Sequence, residues 1–149
     1  MNSFNLIQEG KRILKESGIP SPELDSELIL ANLLSLPKEK IIIKNINEIP
    51  ASKVLKFKED IKRRAKFEPI AYIVNKREFW KYDFYVDRRA LIPRPETELL
   101  VEKALKNLTK NSPNILEIGV GSGCILLTLL KEINNSRGVG IDISKSAIK

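Results

Sequence analysis

Apolar positions in the first half of the chain recur at helical spacing. Phe4, Ile7, Ile13 and Leu14 fall near one face of a helix over residues 4–17, with Lys11, Arg12 and Lys15 on the others, and Gly18 ends it. Ser21 before Pro22 predicts the next start, serine as the cap and proline at the first helical position. Leu24, Leu28, Ile29, Leu33 and Leu36 then form a wide apolar stripe, so this helix is expected to be buried on one side until Pro37 stops or restarts it. A short helix is expected over 37–44 and a longer one over 51–67, with Val54, Phe57, Ile61 and Ala65 inward. Four helices with short connections predict a small bundle.

From Arg77 to Val86 the period shortens to near alternation and the residues turn aromatic, which predicts a β-hairpin. Phe79, Trp80, Phe84 and Val86 are expected to pack between two domains. An amphipathic helix follows through Leu99, Leu100, Val101, Ala104, Leu105 and Leu108, with Pro95 suited to its start, and Asn107 to Pro113 reads as a polar connection. The apolar run from Ile115 enters Gly119-Val120-Gly121-Ser122-Gly123 and leaves as a helix through Leu130, and a second strand runs from Gly138 to Ile141 before Asp142.

That last stretch carries the candidate chemistry. Glycines at 119, 121 and 123 permit positive φ and leave no Cβ against a ligand lying over the turn. The helix behind them offers its first N–H groups and its dipole to an anionic group. Asp142, about 20 residues further on, is placed to accept ribose hydroxyls. A dinucleotide fingerprint would need its third glycine at 124, which is Cys, so the pattern is instead Glu117-x-Gly119-x-Gly121-x-Gly123. It resembles the first motif of Rossmann-like methyltransferases. In that family the glycine turn passes the methionine part of S-adenosylmethionine, and the acid after the second strand takes the ribose. A tight turn with no ligand would use the same glycines; the downstream acid favours a binding site. Glu117 reads as a support for the turn.

Composition narrows the chemistry further. With 149 residues and 42% hydrophobic content the chain can form one domain or two small ones. No apolar run approaches the roughly 20 residues needed to cross a bilayer. There is no histidine, which closes off Ser-His-Asp and Cys-His catalysis and leaves too few ligands for a zinc site. A single cysteine, Cys124, excludes an internal disulfide and fits a cytoplasmic protein. The net charge of +7 includes Lys53, Lys56, Lys58, Lys62, Arg63, Arg64 and Lys66 on the longest predicted helix. Such a face can grip phosphates or an acidic protein, or simply pair with Glu59 and Asp60 and face water, and the second reading is favoured. Direct nucleic-acid binding is not expected.

Glu68-Pro-Ile-Ala-Tyr-Ile73, Glu78-Phe-Trp80 and Leu91-Ile-Pro-Arg-Pro-Glu-Thr-Glu98, followed by the 117–124 motif, together resemble the HemK/PrmC family of release-factor glutamine methyltransferases. The resemblance covers the whole chain. It implies an α plus α/β protein: a helical bundle over 1–74 that binds release factors, a β-hairpin linker over 75–90, and the start of a Rossmann-like class I methyltransferase domain over 91–149. The implied activity is methylation of the glutamine side-chain amide in the Gly-Gly-Gln motif of class 1 peptide-chain release factors. The implied cofactor is S-adenosylmethionine, held by Gly119, Val120, Gly121, Ser122, Gly123 and Asp142.

Two local departures bear on the hairpin: Lys81 stands where the family usually has glycine, and Asn75-Lys76 replaces a glycine-containing turn. The family's Asn-Pro-Pro-Tyr signature is not present, so no catalytic residue is assigned within the chain, which is expected to be the first part of a longer, truncated or fragmented enzyme. The alternatives are a helical protein-binding module that acts without chemistry and a piece of an amino-methyltransferase acting on RNA or DNA.

Overall fold

The computed structural model describes residues 1–108 and 112–148. The chain divides into two compact units, Met1–Val74 and Asn75–Lys149. Residues 109–111 of the polar connection, and residue 149, lie outside the described part.

The first unit is helical: α1 Ser3–Glu16, α2 Pro22–Leu34, α3 Lys38–Lys44, α4 Ala51–Ala65 and α5 Ile70–Val74. Asn2 starts α1, its side chain accepting from Asn5 N–H at 2.8 Å. The helix ends on Gly18 at φ +77°, with Gly18 N–H donating to Lys15 and Ile19 N–H to Leu14. These two reversed bonds satisfy the last carbonyls and bury Ile19. Leu6, Leu14, Ile29, Leu30, Phe57 and Ile61 form the centre of the core.

Three expectations are corrected here. Phe4 and Leu24 are exposed, because the buried face of α1 runs through Ser3, Leu6, Ile7, Gly10 and Leu14, and that of α2 through Asp25, Ser26, Ile29 and Leu30. Ser21 sits at the cap position of α2, but its hydroxyl makes no cap bond. Residues 70–74 add a fifth helix.

The two polar residues in the α2 stripe are satisfied. Asp25 pairs with Arg64 at 2.7 Å, and Ser26 Oγ donates to the Pro22 carbonyl. The basic residues of α4 follow the pairing reading. Lys56 and Arg63 both meet Asp60 at 3.1 Å, Arg63 also reaches Glu68, and Lys58 reaches Glu9. Lys53 donates to the Leu33 carbonyl.

The second unit opens with the antiparallel hairpin of β1 Arg77–Phe79 and β2 Tyr82–Phe84, in register Arg77 to Phe84. A 3-10 turn at Pro95–Thr97 leads into α6 Glu98–Asn107. Then β3 Asn114–Ile118, α7 Cys124–Glu132 and β4 Arg137–Ile141 form one strand–helix–strand unit, with β3 and β4 parallel and Ile118 opposite Ile141. Phe79 and Phe84 meet edge to face at 6.1 Å and join Val101, Cys124 and Leu129 in the core of this unit. Trp80 packs against the same core.

The positive φ of the 79–82 turn falls on Trp80, at +61°, and not on Lys81. Asn75 occupies the left-handed region at φ +53°, which asparagine tolerates, and its side-chain amide donates to the Val86 carbonyl.

Candidate functional site

The turn between β3 and α7 is built by positive φ at Gly119 (+80°), Gly121 (+52°) and Gly123 (+74°). A Cβ added at 119 would meet nothing within 4 Å, and one at 121 only the Gly119 carbonyl oxygen at 4.0 Å. The space over these two glycines is therefore open, as a ligand lying on the turn requires. At Gly123 a Cβ would come within 3.1 Å of the Leu127 side chain, so this glycine serves packing as well as conformation.

Most of the backbone donors in the turn are already engaged. Gly119 N–H and Val120 N–H both donate to the Ile141 carbonyl, at 2.7 and 3.0 Å, which fastens the turn to the end of β4. Gly123 N–H donates to the Val120 carbonyl. Gly121 N–H donates to Asp142 Oδ2 at 2.8 Å. Leu126 N–H, in the first turn of α7, donates to Glu117 Oε2 at 2.9 Å. The N–H groups of Ser122, Cys124 and Ile125 have no oxygen acceptor among the described residues. Ser122 N–H is open to an anionic group at the positive end of the helix dipole, while those of Cys124 and Ile125 also bear on the Cys124 sulfur.

All six residues singled out from the sequence lie together here. Val120 turns its side chain onto Gly140, so it contributes backbone to the turn. Asp142 follows β4 directly, and its second oxygen, Oδ1, accepts from Ser144 N–H at 2.8 Å. Those N–H groups, Ser144 first and Gly121 second, hold the Asp142 carboxyl below its ordinary range. Glu117 is shifted the other way, since burial raises its pKa and the Leu126 N–H offsets only part of that. Burial likewise pushes the Cys124 thiol up, with the Ser122 side chain pulling it back.

Sequence reasoning missed a cavity of about 540 Å³ beside the turn. Its wall combines Gly121 and Ser122 with Tyr85, Val86, Asp87 and Arg89 from the segment after the hairpin, and with Leu127 and Lys131 of α7. The Arg89 guanidinium draws the Asp87 carboxyl down to about 2. The hairpin itself is pinned from two sides. Trp80 N–H donates to Glu98 Oε1 at 2.9 Å, so the 78–80 and 91–98 phrases meet in space. Tyr82 OH donates to Glu132, with Lys81 on the same carboxylate and Lys131 over the Tyr82 ring. Among the described residues no group of acidic, cysteine or histidine side chains is arranged to hold a metal ion.

Residues 5–74 match the family model of the PrmC N-terminal domain. The chain is similar to a release factor glutamine methyltransferase of Buchnera aphidicola, 40% identical over 139 residues, which covers 93% of this chain and 50% of the relative. A protein of the same name from Nitratidesulfovibrio vulgaris is 37% identical over 143 residues, covering 96% of this chain and 48% of the relative. A bifunctional methyltransferase of Rickettsia prowazekii is 36% identical over 155 residues, 91% of this chain and 30% of the relative. The chain spans about half the length of the release factor glutamine methyltransferases it matches. The resemblance drawn from the four sequence phrases is borne out.

Proposed function

We propose that this chain carries the cofactor turn and the partner-recognition unit of an S-adenosylmethionine-dependent methyltransferase of release factors. The activity is methylation of the glutamine side-chain amide in the Gly-Gly-Gln motif of class 1 release factors, in the cytoplasm. The observation that carries this reading is the glycine turn fastened between parallel strands with an acid at the end of the second, in a chain 40% identical over 139 residues to a protein named release factor glutamine methyltransferase.

The residues present fit the cofactor. Its methionine carboxylate suits the Ser122 N–H just ahead of α7, and its ribose hydroxyls suit the remaining lone-pair capacity of Asp142. Gly119 and Gly121 leave the ligand its space. Bound S-adenosylmethionine supplies an electrophilic methyl group; Gly119 to Gly123 and Asp142 hold and orient it. No residue of this chain is assigned to activating the amide.

We assign residues 1–74 to release-factor binding, 75–90 to a hairpin linker and 91–149 to a Rossmann-like cofactor domain. The second face of the β3–β4 pair supports the last assignment. Leu116, Ile118, Val139 and Ile141 are all exposed on it, whereas α7 packs Leu126 and Leu130 close over Gly138 of β4. Parallel sheets carry helices on both faces, and an apolar second face is what such a layer covers. Among the described residues no helix is long and apolar enough to cross a membrane.

Calorimetric titration with S-adenosylmethionine and, separately, with a class 1 release factor tests the reading. Saturable cofactor binding that is lost in Asp142→Ala supports it. Absence of any cofactor binding overturns it. Release-factor binding indifferent to the cofactor would favour instead the helical module that acts without chemistry.

A further inference from the structure

The acid expected to hold the ligand already has partners within the protein. Asp142 Oδ2 accepts from Gly121 N–H and Oδ1 from Ser144 N–H, both at 2.8 Å. One carboxylate therefore joins the middle of the glycine turn, 21 residues upstream, to the first residues after β4. Gly121 N–H lies between N–H groups that follow different routes: those of Gly119 and Val120 go to the Ile141 carbonyl, and that of Gly123 goes to the Val120 carbonyl. Gly121 is the apex of the turn, and Asp142 is its only hydrogen-bond partner among the described residues. Without that bond the apex would be held by its neighbours alone, with glycine freedom at φ +52° and open space around it.

We infer that Asp142 is the internal strut of the glycine turn, fixing Gly121 and Ser144 before any ligand arrives, and that it is thus a positioning residue as well as a ligand contact. A carboxylate offers about four lone-pair positions. Gly121 and Ser144 N–H take two, and Ile143 N–H also bears on the carboxylate, so capacity remains for a ribose hydroxyl that adds to the strut without displacing it. The turn then pays no ordering cost on binding. The depressed pKa of Asp142, caused by these same N–H groups, agrees with a strut that stays charged through the neutral range.

This inference rests on the same site as the proposed function, but it is tested without ligand. Amide hydrogen exchange and amide proton shifts are read by NMR on the ligand-free chain. In the unaltered protein the Gly121 and Ser144 amide shifts should titrate together, with one midpoint below the ordinary aspartate range. In Asp142→Ala, exchange at Gly121 should quicken by about tenfold or more, as expected for losing a charge-assisted hydrogen bond. Asp142→Asn, with one acceptor oxygen, should fall between. Unchanged protection of Leu129 in α7 is the check that the unit is still folded; should the variants unfold, the wild-type titration decides alone. Two midpoints, or exchange at Gly121 that is unmoved by either substitution, overturns the strut. S-adenosylmethionine titration then separates the two ideas. Lost affinity with unmoved Gly121 exchange leaves the ligand contact and removes the strut; quickened exchange with intact affinity leaves the strut and removes the ribose contact.

Discussion

Gly121 separates what the backbone needs from what a ligand needs. Its φ of +52° lies in the left-handed region, yet a Cβ built there meets nothing closer than the Gly119 carbonyl oxygen at 4.0 Å. Steric overlap inside the ligand-free protein is therefore absent, and any loss of stability comes from φ alone. An ordinary side chain in the left-handed region costs about 1–2 kcal/mol. The restricted unfolded chain gives back roughly 0.4–1 kcal/mol. Gly121→Ala is thus expected to lose about 1 kcal/mol net, a fall of roughly 4–8 °C for a unit of this size. Gly121→Val should lose more, because a β-branched residue is a true outlier there, while Gly121→Asn should lose least, since asparagine is enriched in this region.

Ligand affinity should follow a different order. All three side chains enter the open space over the turn, so even Gly121→Asn should weaken S-adenosylmethionine binding by about tenfold or more, roughly 1.4 kcal/mol. Melting followed by the fluorescence of Trp80, the single tryptophan and a residue of the second unit, reads the first quantity, and calorimetric titration reads the second. An Asn variant that melts normally and binds within about twofold of the unaltered protein would refute ligand approach at 121. An Ala variant no less stable than the Asn variant would refute the backbone half of the reasoning.

Three further outcomes are expected. Gly10→Val should lower the urea midpoint of the helical signal by the equivalent of about 1–3 kcal/mol, the usual cost of overpacking. A Cβ there already comes within 2.8 Å of Ser26 Oγ and 2.9 Å of Ile61 and Phe57, and an unchanged midpoint would show that α1 can move away. Thr128→Val should stabilise the second unit by about 1 kcal/mol, because the Thr128 hydroxyl is buried with no partner among the described residues; a lower melting temperature would count against this. Glu117→Gln should be more stable than the unaltered chain at pH 7 and equal to it below about pH 4. The folded pKa of Glu117 is raised above 4.5 by burial, so its contribution is fully present below the unfolded value and is lost as pH rises through the folded one. Gln keeps an acceptor for Leu126 N–H without the charge, and parallel urea melts at the two pH values make the test.

How far the sequence disclosed this structure depends on what kind of information each element carries. Periodicity found α1 to α4, because a helix that packs on a core repeats its apolar residues whatever lies opposite. It misjudged the faces of α1 and α2 because polar and small residues share the buried stripe. Ser3, Gly10, Asp25 and Ser26 are all buried, and a count of large apolar residues passes over them in favour of Phe4 and Leu24. Partners settle such cases: Asp25 is tolerable inside only because Arg64, 39 residues later, reaches it at 2.7 Å. No local pattern announces that pairing. The helix over 70–74 is too short to show a period, so it appeared only as part of a phrase.

The glycine turn shows the same division at finer scale. Spacing was enough to predict positive φ at 119, 121 and 123, and to bring Asp142 to the turn. Spacing could not say that the turn is part of the sheet's end. Gly119 and Val120 both bond the Ile141 carbonyl, and the Val120 side chain lies so close over Gly140 that a Cβ there would sit 2.6 Å from it. On the same face of β4, beneath α7, a Cβ at Gly138 would sit 2.6 Å from Leu126. The glycines of β4 are thus required by the turn and by the helix packed against them, which a strand read alone gives no reason to expect. Held at β4 by two backbone bonds, at Gly121 by Asp142 and at α7 by Glu117, the turn has little left to order. Its ligand-free and ligand-bound shapes should therefore agree closely, and the affinity it confers should come from geometry already in place.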